Sequence, residues 1–352
     1  MVFNVLLYIS LGIFILGLIY KVYTWCSMKI GISAQDYTPS QRFSAAVKGT
    51  VGVVFSSKIL LFIKAFILDV LLQKRILKES FSRWIMHMLL YGGFMLLLLM
   101  HALEKFVSAK LFSDYYSTVN PFMFLRDFFG FMVVVGIGIA IFRRFIMKVP
   151  RLKTSGMDVY AIFIVVVIIF SGILLEGVKI TSHTAFQGMV EDYAGLTAED
   201  DAEEIEALES YWAKEFDVVS PNVQGPFEEE ILEQGMESHE ANCAECHSPP
   251  GWAFTGYAVA KTIKPMALTL DNADAANILW YIHFLACFIG LAYLPFSKMF
   301  HIISTPVSLL ANAVMEKETA DPANIVTRQA MELDACTHCG TCSLRCSAST
   351  AF

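Results

Sequence analysis

Five apolar segments of the chain are each long enough to cross a lipid bilayer, which constrains its fold more than any other feature. A transmembrane helix needs about 20 predominantly apolar residues. The segments cover, approximately, residues 3–20, 84–103, 128–142, 159–175 and 278–296. The first has no basic leader and is longer than a signal-peptide core, so we expect it to be retained as a helix. The sequence predicts an all-α, multi-pass membrane protein.

The composition agrees with this prediction, since 56% of the residues are hydrophobic and only 17% are charged. These values exclude a disordered chain, a nucleic-acid-binding protein and an ordinary soluble enzyme. Residues 45–80 are ambiguous, because Lys58, Lys64 and Asp69 interrupt their apolar runs. A charge at the bilayer centre costs about 2.5–3.5 kcal/mol. We therefore expect an interfacial amphipathic helix over about 50–78; the alternative is a sixth span, which would reverse the orientation of everything after it.

The distribution of charge predicts the orientation. With the N-terminus outside, segments on the inner side hold 19 of the 26 Lys and Arg residues, as the positive-inside rule requires. Residues 181–275 carry a net charge of −17, whereas the remainder carries +10. We expect a bacterial or archaeal cytoplasmic membrane protein. Its predicted parts are spans one to four in 1–180, a periplasmic acidic loop in 181–275, the fifth span in 276–306 and a cytoplasmic segment in 307–352.

The acidic loop contains the attachment signature of a c-type haem, Cys243-Ala244-Glu245-Cys246-His247. In this C-x-x-C-H spacing, two thiols bind the vinyl groups of one porphyrin and the adjacent histidine reaches its iron. Such haems are attached outside the cytoplasm, in agreement with the predicted orientation. A disulfide and a zinc site are the alternatives. The surrounding acidic residues indicate either a docking face for a basic periplasmic cytochrome c or a solvated loop.

The sixth ligand of this haem iron is not determined by the motif. Met266, which follows a proline, and His239 are the favoured residues, and Met236 and His183 are further alternatives. A methionine or a histidine at this position would set the reduction potential of the haem.

Two of the spans carry two histidines each. His87 and His101 on the second lie 14 residues apart, and His283 and His301 on the fifth lie 18 apart. In a continuous helix each pair shares one face, at separations of about 21 and about 27 Å. Because the two helices are antiparallel, we expect His87 to pair with His301 near the inner membrane face and His101 with His283 near the outer face. Two b-type haems would fit this arrangement; four polar core residues are the alternative.

The cysteines near the C-terminus form the run of a bacterial [4Fe–4S] site. Cys336, Cys339, Cys342 and Cys346 follow the spacing C-x2-C-x2-C-x3-C, and four thiolates this close together suit a compact cluster better than zinc. Ser347 occupies the position where the bacterial run has proline. Since no second cysteine run follows, we expect Cys346 to bind the same cluster unless a partner supplies further ligands.

Two motifs around these histidines carry a family resemblance: Ser82-Arg83-Trp84-x2-His87, and Phe296-Ser297-Lys298-x2-His301-x3-Thr305-Pro306. They resemble the gamma subunit of respiratory nitrate reductase, a di-haem cytochrome b. The likeness is closer to the membrane subunits of heterodisulfide-reductase-like and of Dsr- and Tmc-type redox complexes. It covers roughly residues 1–180 and 276–310; the gamma subunit itself has neither the C-x-x-C-H loop nor the cysteine run.

The resemblance implies haem b ligation by the four histidines and a menaquinone site near the outer haem. We map the quinone site to Glu176, Lys179 and Glu104, each of which is otherwise an interfacial charge. The expected fold is a five-helix di-haem cytochrome b bundle with a periplasmic haem c loop and a short cytoplasmic iron–sulfur tail.

The expected function is that of an electron-transfer subunit within a membrane oxidoreductase complex. Electrons would pass between menaquinol or a periplasmic cytochrome c and a cytoplasmic heterodisulfide-reductase-like iron–sulfur subunit. Three alternatives remain open. They are a quinone-independent wire between periplasmic cytochrome c and the cytoplasm, a membrane-bound haem redox sensor, and a transporter with structural histidines.

Overall fold

The structure, a computed structural model, describes residues 1–30, 36–149, 154–197, 201–316 and 319–337. Throughout these residues the regular elements are helices, as the sequence predicts. The α-helices in chain order are α1 (Val2–Ser27), α2 (Pro39–Val54), α3 (Lys58–Ala65), α4 (Lys74–Glu79), α5 (Phe81–Leu97), α6 (Ser108–Leu111), α7 (Phe122–Ile141), α8 (Gly156–Thr181), α9 (His183–Met189), α10 (Ala202–Glu215), α11 (Glu229–Asn242), α12 (Phe254–Ile263), α13 (Ala267–Asn272), α14 (Ala275–Tyr293), α15 (His301–Val314) and α16 (Pro322–Asp334).

Several helices continue into a wider or a tighter turn. The π-helical turns follow α3, α5, α7 and α9, at Phe66–Leu71, Leu98–Ala102, Phe142–Ile146 and Val190–Ala194. The 3₁₀ turns are Pro250–Trp252, Lys264–Met266, Leu294–Phe296 and Lys298–Phe300.

Five helices of the described chain are long and apolar enough to cross a membrane, as predicted. They are Val2–Ser27, Phe81–Ala102, Phe122–Ile146, Gly156–Thr181 and Ala275–Phe296. Large apolar side chains remain exposed along them, such as Leu16 on α1 and Phe163 on α8, exposed by 67% and 63%. Lipid acyl chains, rather than water, are the solvent that suits such a surface. The chain is therefore a multi-pass membrane protein.

Residues 39–71 form two helices rather than the one helix that the sequence suggested. Pro39–Val54 and Lys58–Leu71 meet at a bend of 95°, and together they qualify as one broken span. The start of α2 carries a local helix-start signal: Thr38 and Gln41 form a reciprocal capping box, and Pro39 occupies the first helical position. Whether this bent pair lies on or within the membrane stays a prediction.

The fifth span does not continue as one helix to His301. Helix α14 stops at Tyr293, and Pro295 in the next turn has no backbone N–H with which to continue a helix. Ser297 then adopts an extended conformation, and its hydroxyl accepts a hydrogen bond from the Met299 amide. A new helix, α15, begins at His301. His283 and His301 thus lie on separate helices, so the continuous-helix argument over 18 residues does not apply to them.

The chain divides into two compact units. The first unit comprises the described residues within 1–88, 139–165 and 287–352. Within it, Gly17 of α1 contacts Pro295 so closely that an added Cβ would lie 2.7 Å from the proline ring. The guanidinium of Arg42, with only 1% of the residue exposed, donates to the carbonyls of Met28 and Trp25 and to the Thr327 hydroxyl. Each of its three nitrogens therefore donates a hydrogen bond, which offsets the cost of burying the charge.

The second unit comprises residues 89–138 and 166–286. Its extramembrane core is formed by Phe186, Val190, Leu208, Trp212, Phe216, Val218 and Cys243. Helices α10 and α11 cross closely in this core, because Gly235 lies directly against the Ala207 carbonyl. The core therefore includes the first cysteine of the C-x-x-C-H motif.

Candidate functional site: two imidazole pairs and two cysteine motifs

The first imidazole pair lies in the first unit. The rings of His87, on α5, and His301, at the start of α15, have centroids 6.4 Å apart and planes inclined by 58°. The Nδ1 atom of His87 lies 2.6 Å from Oε1 of Gln73, and the Nδ1 atom of His301 lies 2.7 Å from the Lys298 carbonyl oxygen. The structure thus brings together the two histidines expected to form the inner pair.

The second imidazole pair lies in the second unit. His101, in the π-helical turn after α5, and His283, on α14, have ring centroids 6.1 Å apart and planes inclined by 51°. The Nδ1 atom of His283 is 3.0 Å from the Ile168 carbonyl oxygen and 3.1 Å from the Ser171 hydroxyl, both on α8. Here, too, the structure brings together the histidines that were expected to pair.

The separations within both pairs fit bis-histidine ligation of a haem iron. With a metal–imidazole bond of about 2 Å and a ring nitrogen about 1.1 Å from its ring centre, two axial imidazoles have centroids roughly 6.2 Å apart. The observed centroid separations are 6.4 and 6.1 Å. Ligation by two imidazoles does not require a particular angle between the ring planes, so the inclined planes are compatible with it.

Hydrogen bonds also select the ring nitrogen that is available to iron. A carbonyl oxygen can only accept, so Nδ1 of His283 and of His301 must carry the proton and donate it to Ile168 and Lys298. The amide oxygen of Gln73 imposes the same tautomer on His87. The lone pair then resides on Nε2 in all three rings. A metal-binding histidine commonly donates its second ring nitrogen in this way, which fixes the ring orientation.

Two residues that support these rings were missed by the sequence reasoning. Gln73 has a left-handed backbone with φ of 51°, which is uncommon outside glycine, and its side chain is buried against His87. Gly172 allows His283 to lie close to α8, since an added Cβ would be 3.1 Å from Cε1 of that ring. A glutamine before a short helix and a single glycine in an apolar span are weak signals without a structure.

The C-x-x-C-H motif follows directly after α11. Cys243 is its C-terminal capping residue, and its carbonyl accepts from the amides of Cys246 and His247, which closes a tight turn. Both cysteines are free thiols, which excludes a disulfide between them in this structure. Burial, together with the neighbouring Cys246, raises the pKa of the Cys243 thiol to about 11. Burial next to His239 lowers the pKa of His247, so its imidazole is neutral and retains a lone pair suited to iron.

The segment after this motif is fastened to the residues that lead into α7. The Thr118 hydroxyl donates to the Cys246 carbonyl, and the Asn120 amide donates to the Ser248 hydroxyl at 3.1 Å. Asp127, which is buried, accepts both the Thr255 amide, at 3.0 Å, and the Thr255 hydroxyl. These bonds hold the C-x-x-C-H turn against a membrane-spanning helix of the same unit.

The residues proposed as the sixth ligand of the c haem have different surroundings. The His239 ring packs against Tyr211, Trp212 and Phe216, and its Nδ1 accepts from the Trp212 indole at 3.2 Å. That indole also contacts the His247 ring at a centroid distance of 5.3 Å. Met266 lies in a 3₁₀ turn with 58% of its surface exposed.

The two further alternatives for this ligand also differ in their surroundings. His183 is buried, and its Nε2 already lies 2.7 Å from the Glu209 carboxylate. Met236 is on α11, one turn before His239, and is 40% exposed.

The residues proposed for the quinone site are not equivalent. Glu176 forms an ion pair with Arg126, a residue that the sequence reasoning did not use, and it lies against the backbone of Gly256. Lys179, one turn further along α8, is exposed, whereas Glu104 is partly buried just after His101. The structure thus gives Glu176 a structural partner, and a quinone role for all three residues stays a prediction.

The iron–sulfur motif is only partly within the described residues. Cys336 is an exposed free thiol just after α16, whereas Cys339, Cys342 and Cys346 lie outside the described residues. Within the described part of the chain, no three His, Cys, Asp or Glu residues lie close enough to hold a metal ion. The donor set of four thiolates is the chemistry that suits a cluster.

The comparisons with known proteins give the chain two kinds of relative. Residues 63–199 match the model of the HdrE family, whose members are components of dihydromethanophenazine:CoB–CoM heterodisulfide reductase. The HdrE protein of Methanosarcina barkeri is 32% identical over 126 residues, 33% of this chain and 47% of that protein. The HdrE protein of Methanosarcina thermophila is 32% identical over 124 residues, with the same coverage. The predicted likeness to the membrane component of a heterodisulfide reductase is confirmed over this range.

A longer but weaker similarity involves the EtfAB:quinone oxidoreductase of Syntrophomonas wolfei. It is 22% identical over 295 residues, which are 78% of this chain and 33% of that protein. The chain thus spans a third of this relative and just under half of the HdrE proteins. The family match contains His87 and His101 but neither cysteine motif. No solved structure matches the chain.

Proposed function

We propose that the chain is the membrane cytochrome of a redox complex and transfers electrons across the membrane. The observation that carries the proposal is the geometry of the two imidazole pairs, His87 with His301 and His101 with His283. Their ring centroids lie 6.4 and 6.1 Å apart, the spacing of two axial ligands on one haem iron. Similarity to the HdrE component of heterodisulfide reductase over residues 63–199 supports the same assignment.

The protein supplies binding, orientation and a fixed coordination sphere. A bis-histidine haem iron exchanges single electrons while keeping both ligands. The hydrogen bonds to Gln73, Lys298 and Ile168 hold His87, His301 and His283 in one orientation. Because these rings are already held in place, they would move little when a haem iron between them is oxidised or reduced.

Two further centres would extend this path beyond the membrane. Cys243, Cys246 and His247 would hold a haem c on the periplasmic side, with His239 or Met266 as its sixth ligand. Cys336, Cys339, Cys342 and Cys346 would hold a [4Fe–4S] cluster on the cytoplasmic side. This orientation rests on the excess of Lys and Arg in the predicted inner segments.

The partners follow from the ends of this path. We propose that menaquinol, a periplasmic cytochrome c, or both exchange electrons at the outer end, and a heterodisulfide-reductase-like iron–sulfur subunit at the inner end. The names of two similar proteins include dihydromethanophenazine and quinone, which supports a lipid-soluble carrier. Glu176, Lys179 and Glu104 are the residues that we propose for such a carrier near the outer haem site.

A second candidate is a quinone-independent wire between a periplasmic cytochrome c and the cytoplasm. The ion pair between Arg126 and Glu176 favours it, because this carboxylate already has a partner and is packed against Gly256. Reduction of the b haems by a menaquinol analogue would support the quinone-linked function; reduction only by cytochrome c would support the wire.

Optical spectra of the purified protein test the proposal. Reduced-minus-oxidised spectra should show b- and c-type bands, and haem staining should survive denaturing electrophoresis because the c haem is covalent. His87→Ala and His101→Ala should each remove one b haem and leave the c haem, so each variant serves as the control for the other. A Cys243→Ala, Cys246→Ala double variant should lose the covalent stain and keep both b haems. Unchanged b bands in both histidine variants would refute the ligand assignment.

A further inference from the structure

Asp158 is a buried carboxylate in the first turn of α8, a helix long and apolar enough to span the membrane. Only 5% of the residue is exposed. It accepts a hydrogen bond from the Lys298 ammonium at 2.6 Å and lies 3.1 Å from the Arg144 guanidinium. The Ser155 amide and hydroxyl both donate to it at 2.9 Å. A buried charge is tolerated when it is paired and hydrogen-bonded, and this carboxylate is both.

Lys298 connects this carboxylate to the first imidazole pair. Its side chain bonds to Asp158, and its backbone carbonyl bonds to His301. That carbonyl accepts from Nδ1 of the His301 ring at 2.7 Å and also from the His301 backbone amide. The Lys298 side chain is only 20% exposed, so water screens its ion pair less than at an open surface. One residue therefore binds the carboxylate at one end and the haem ligand at the other.

The turn that begins at Lys298 is short and depends on side chains for its shape. It is a 3₁₀ turn of three residues, a conformation with poorer hydrogen-bond geometry than an α-helix. The Ser297 hydroxyl accepts from the Met299 amide at 3.2 Å and so fixes the start of the turn. The ion pair with Asp158 ties the same turn to α8. The position of the Lys298 carbonyl, and with it the orientation of the His301 ring, therefore depends on this carboxylate.

The same contacts place charges beside the imidazole pair. The Lys298 ammonium is close enough to act electrostatically on His301, and the Arg83 guanidinium acts in the same way on His87. Reduction lowers the charge of a haem iron by one. Nearby cations therefore favour the reduced haem, and a nearby carboxylate favours the oxidised haem. Asp158 offsets the charge of Lys298, the cation that is directly bonded to it.

We propose that Asp158 is a positioning residue of the inner haem site, which orients His301 through Lys298 and lowers the reduction potential of the haem. This inference rests on the proposed function, since it needs a haem held by His87 and His301. All four residues belong to the first unit and to the described part of the chain.

Redox titration of the full-length protein with its haems, followed at the b-haem absorbance, tests this inference. The transition of the inner haem is the one that His87→Ala removes. Asp158→Asn keeps the shape of the side chain and removes its charge. At a fixed potential it should raise the ratio of reduced to oxidised inner haem about tenfold, an upward shift of about 59 mV for one electron. The outer b haem, whose histidines lie in the second unit, is the internal reference.

A second variant separates the effect of charge from the effect of folding. Lys298→Met removes the cation but keeps the backbone carbonyl, and should shift the potential of the inner haem downward. A double variant with Asp158→Asn and Lys298→Met loses one charge of each sign, so its ratio of reduced to oxidised haem should be within about twofold of wild type.

Asp217→Asn is the matched control. Asp217 is also a buried carboxylate that bonds to two cations, Lys261 and Lys264, at 2.6 and 2.5 Å, but it lies in the second unit. Removing its charge should leave the potential of the inner haem unchanged.

The outcomes separate this inference from the proposed function. A wild-type potential of the inner haem in both Asp158→Asn and Lys298→Met would overturn it. Shifts of the same sign in these two variants would also overturn it, because loosened packing and not charge would be their cause. Loss of the inner haem alone from Asp158→Asn would support the orientation of His301, and Lys298→Met would then report the effect of charge. A wild-type protein without b-haem bands would instead refute the proposed function.

Discussion

At the scale of single residues, the imidazole pairs depend on the groups behind them. Three of the four histidines donate Nδ1–H to an oxygen acceptor, and two of these acceptors are backbone carbonyls. The third is the side chain of Gln73, which is therefore the one that a substitution can remove. Its left-handed backbone aims the amide at His87, and unusual backbone conformations of this kind persist where the surroundings fix them.

Replacing Gln73 by leucine should weaken the inner haem site. Without the acceptor, His87 loses its fixed tautomer and some of its basicity, and loss of such a partner commonly costs about 10- to 100-fold in metal affinity. We expect lower haem b content and a higher reduction potential for the remaining inner haem, measured by pyridine haemochrome assay and redox titration. Gln187→Leu, at an exposed position on α9, should change neither. Wild-type haem content and potential in Gln73→Leu would contradict this role.

Asp217 illustrates a residue that serves stability rather than electron transfer. Burial alone would raise its pKa, but hydrogen bonds from Lys261, Lys264 and Tyr257 outweigh burial and hold the pKa at about 2. The depressed pKa means that the folded state favours the carboxylate. This contribution is complete above the ordinary value near 4 and is lost as the pH falls through about 2.

Asp217→Asn should therefore destabilise the extramembrane part of the second unit by about 2 kcal/mol at pH 7. Asparagine tolerates the left-handed φ of 62° at this position, so the variant removes the charge and one acceptor oxygen without straining the backbone. Thermal unfolding followed at the c-haem absorbance should show the difference at pH 7 and at pH 5, and a smaller difference at pH 3. A difference that persists unchanged at pH 3 would show that the carboxylate charge is not its cause.

At the scale of elements, the close crossing of α10 and α11 supports the C-x-x-C-H turn. Gly235 lies so close to Ala207 that an added Cβ would be 2.1 Å from its carbonyl oxygen. Helix α11 ends at Asn242, one residue before Cys243. Any separation of the two helices would therefore move the haem-attachment turn.

Gly235→Ala should destabilise this part of the protein and reduce haem attachment. Overpacking of a tight contact commonly costs about 1–3 kcal/mol, and here the clash involves backbone that cannot rotate away. Haem staining per unit of protein and the unfolding temperature both report the effect. Gly188→Ala is the matched control, because Gly188 lies within α9 and an added Cβ would meet nothing within 4 Å. Equal haem staining in the two variants would show that the crossing is not required.

The elements show where the sequence is sufficient and where it is not. Hydropathy predicts the five spans, because each must be apolar over its whole length, and the motif locates the C-x-x-C-H turn. The antiparallel order of the spans predicts which histidines meet. The break at Pro295 has a local cause, because proline lacks a backbone N–H. The break at Ser57, the π-helical turn that contains His101, and the support by Gln73 and Gly172 depend on the folded context. Hydropathy does not encode these features.

At the scale of the whole molecule, the chain separates acidic from basic residues. The segment 181–275 carries a net charge of −17, and the remainder carries +10. The predicted orientation rests on the basic residues alone, since 19 of the 26 Lys and Arg residues lie in the predicted inner segments and basic loops are retained on the cytoplasmic side. It depends on whether the bent pair of helices Pro39–Val54 and Lys58–Leu71 crosses the membrane.

Reporter fusions decide this orientation. With the pair at the interface, reporters fused after Ser27 and after Glu79 should lie on the same, cytoplasmic side; if the pair spans the membrane, they should lie on opposite sides. A fluorescent protein that folds only in the cytoplasm, paired with alkaline phosphatase, gives complementary signals at each site. A fusion after Leu196, in the acidic segment, tests the same question again: it should be active as alkaline phosphatase if the pair is interfacial, and as the cytoplasmic fluorescent protein if the pair spans the membrane. Phosphatase activity after Glu79 would contradict the interfacial position.

The hydrogen bonds that fasten residues 246–255 to residues 118–127 affect how an electron-transfer partner reaches the C-x-x-C-H turn. A haem domain on a flexible linker can move between its electron donor and its acceptor. This turn, in contrast, is hydrogen-bonded to a helix that is long and apolar enough to span the membrane. A haem bound at this turn would therefore keep its position during turnover. Soluble electron carriers would then have to reach it by diffusion. The turnover rate would depend on the concentration of these carriers and not on the length of a linker.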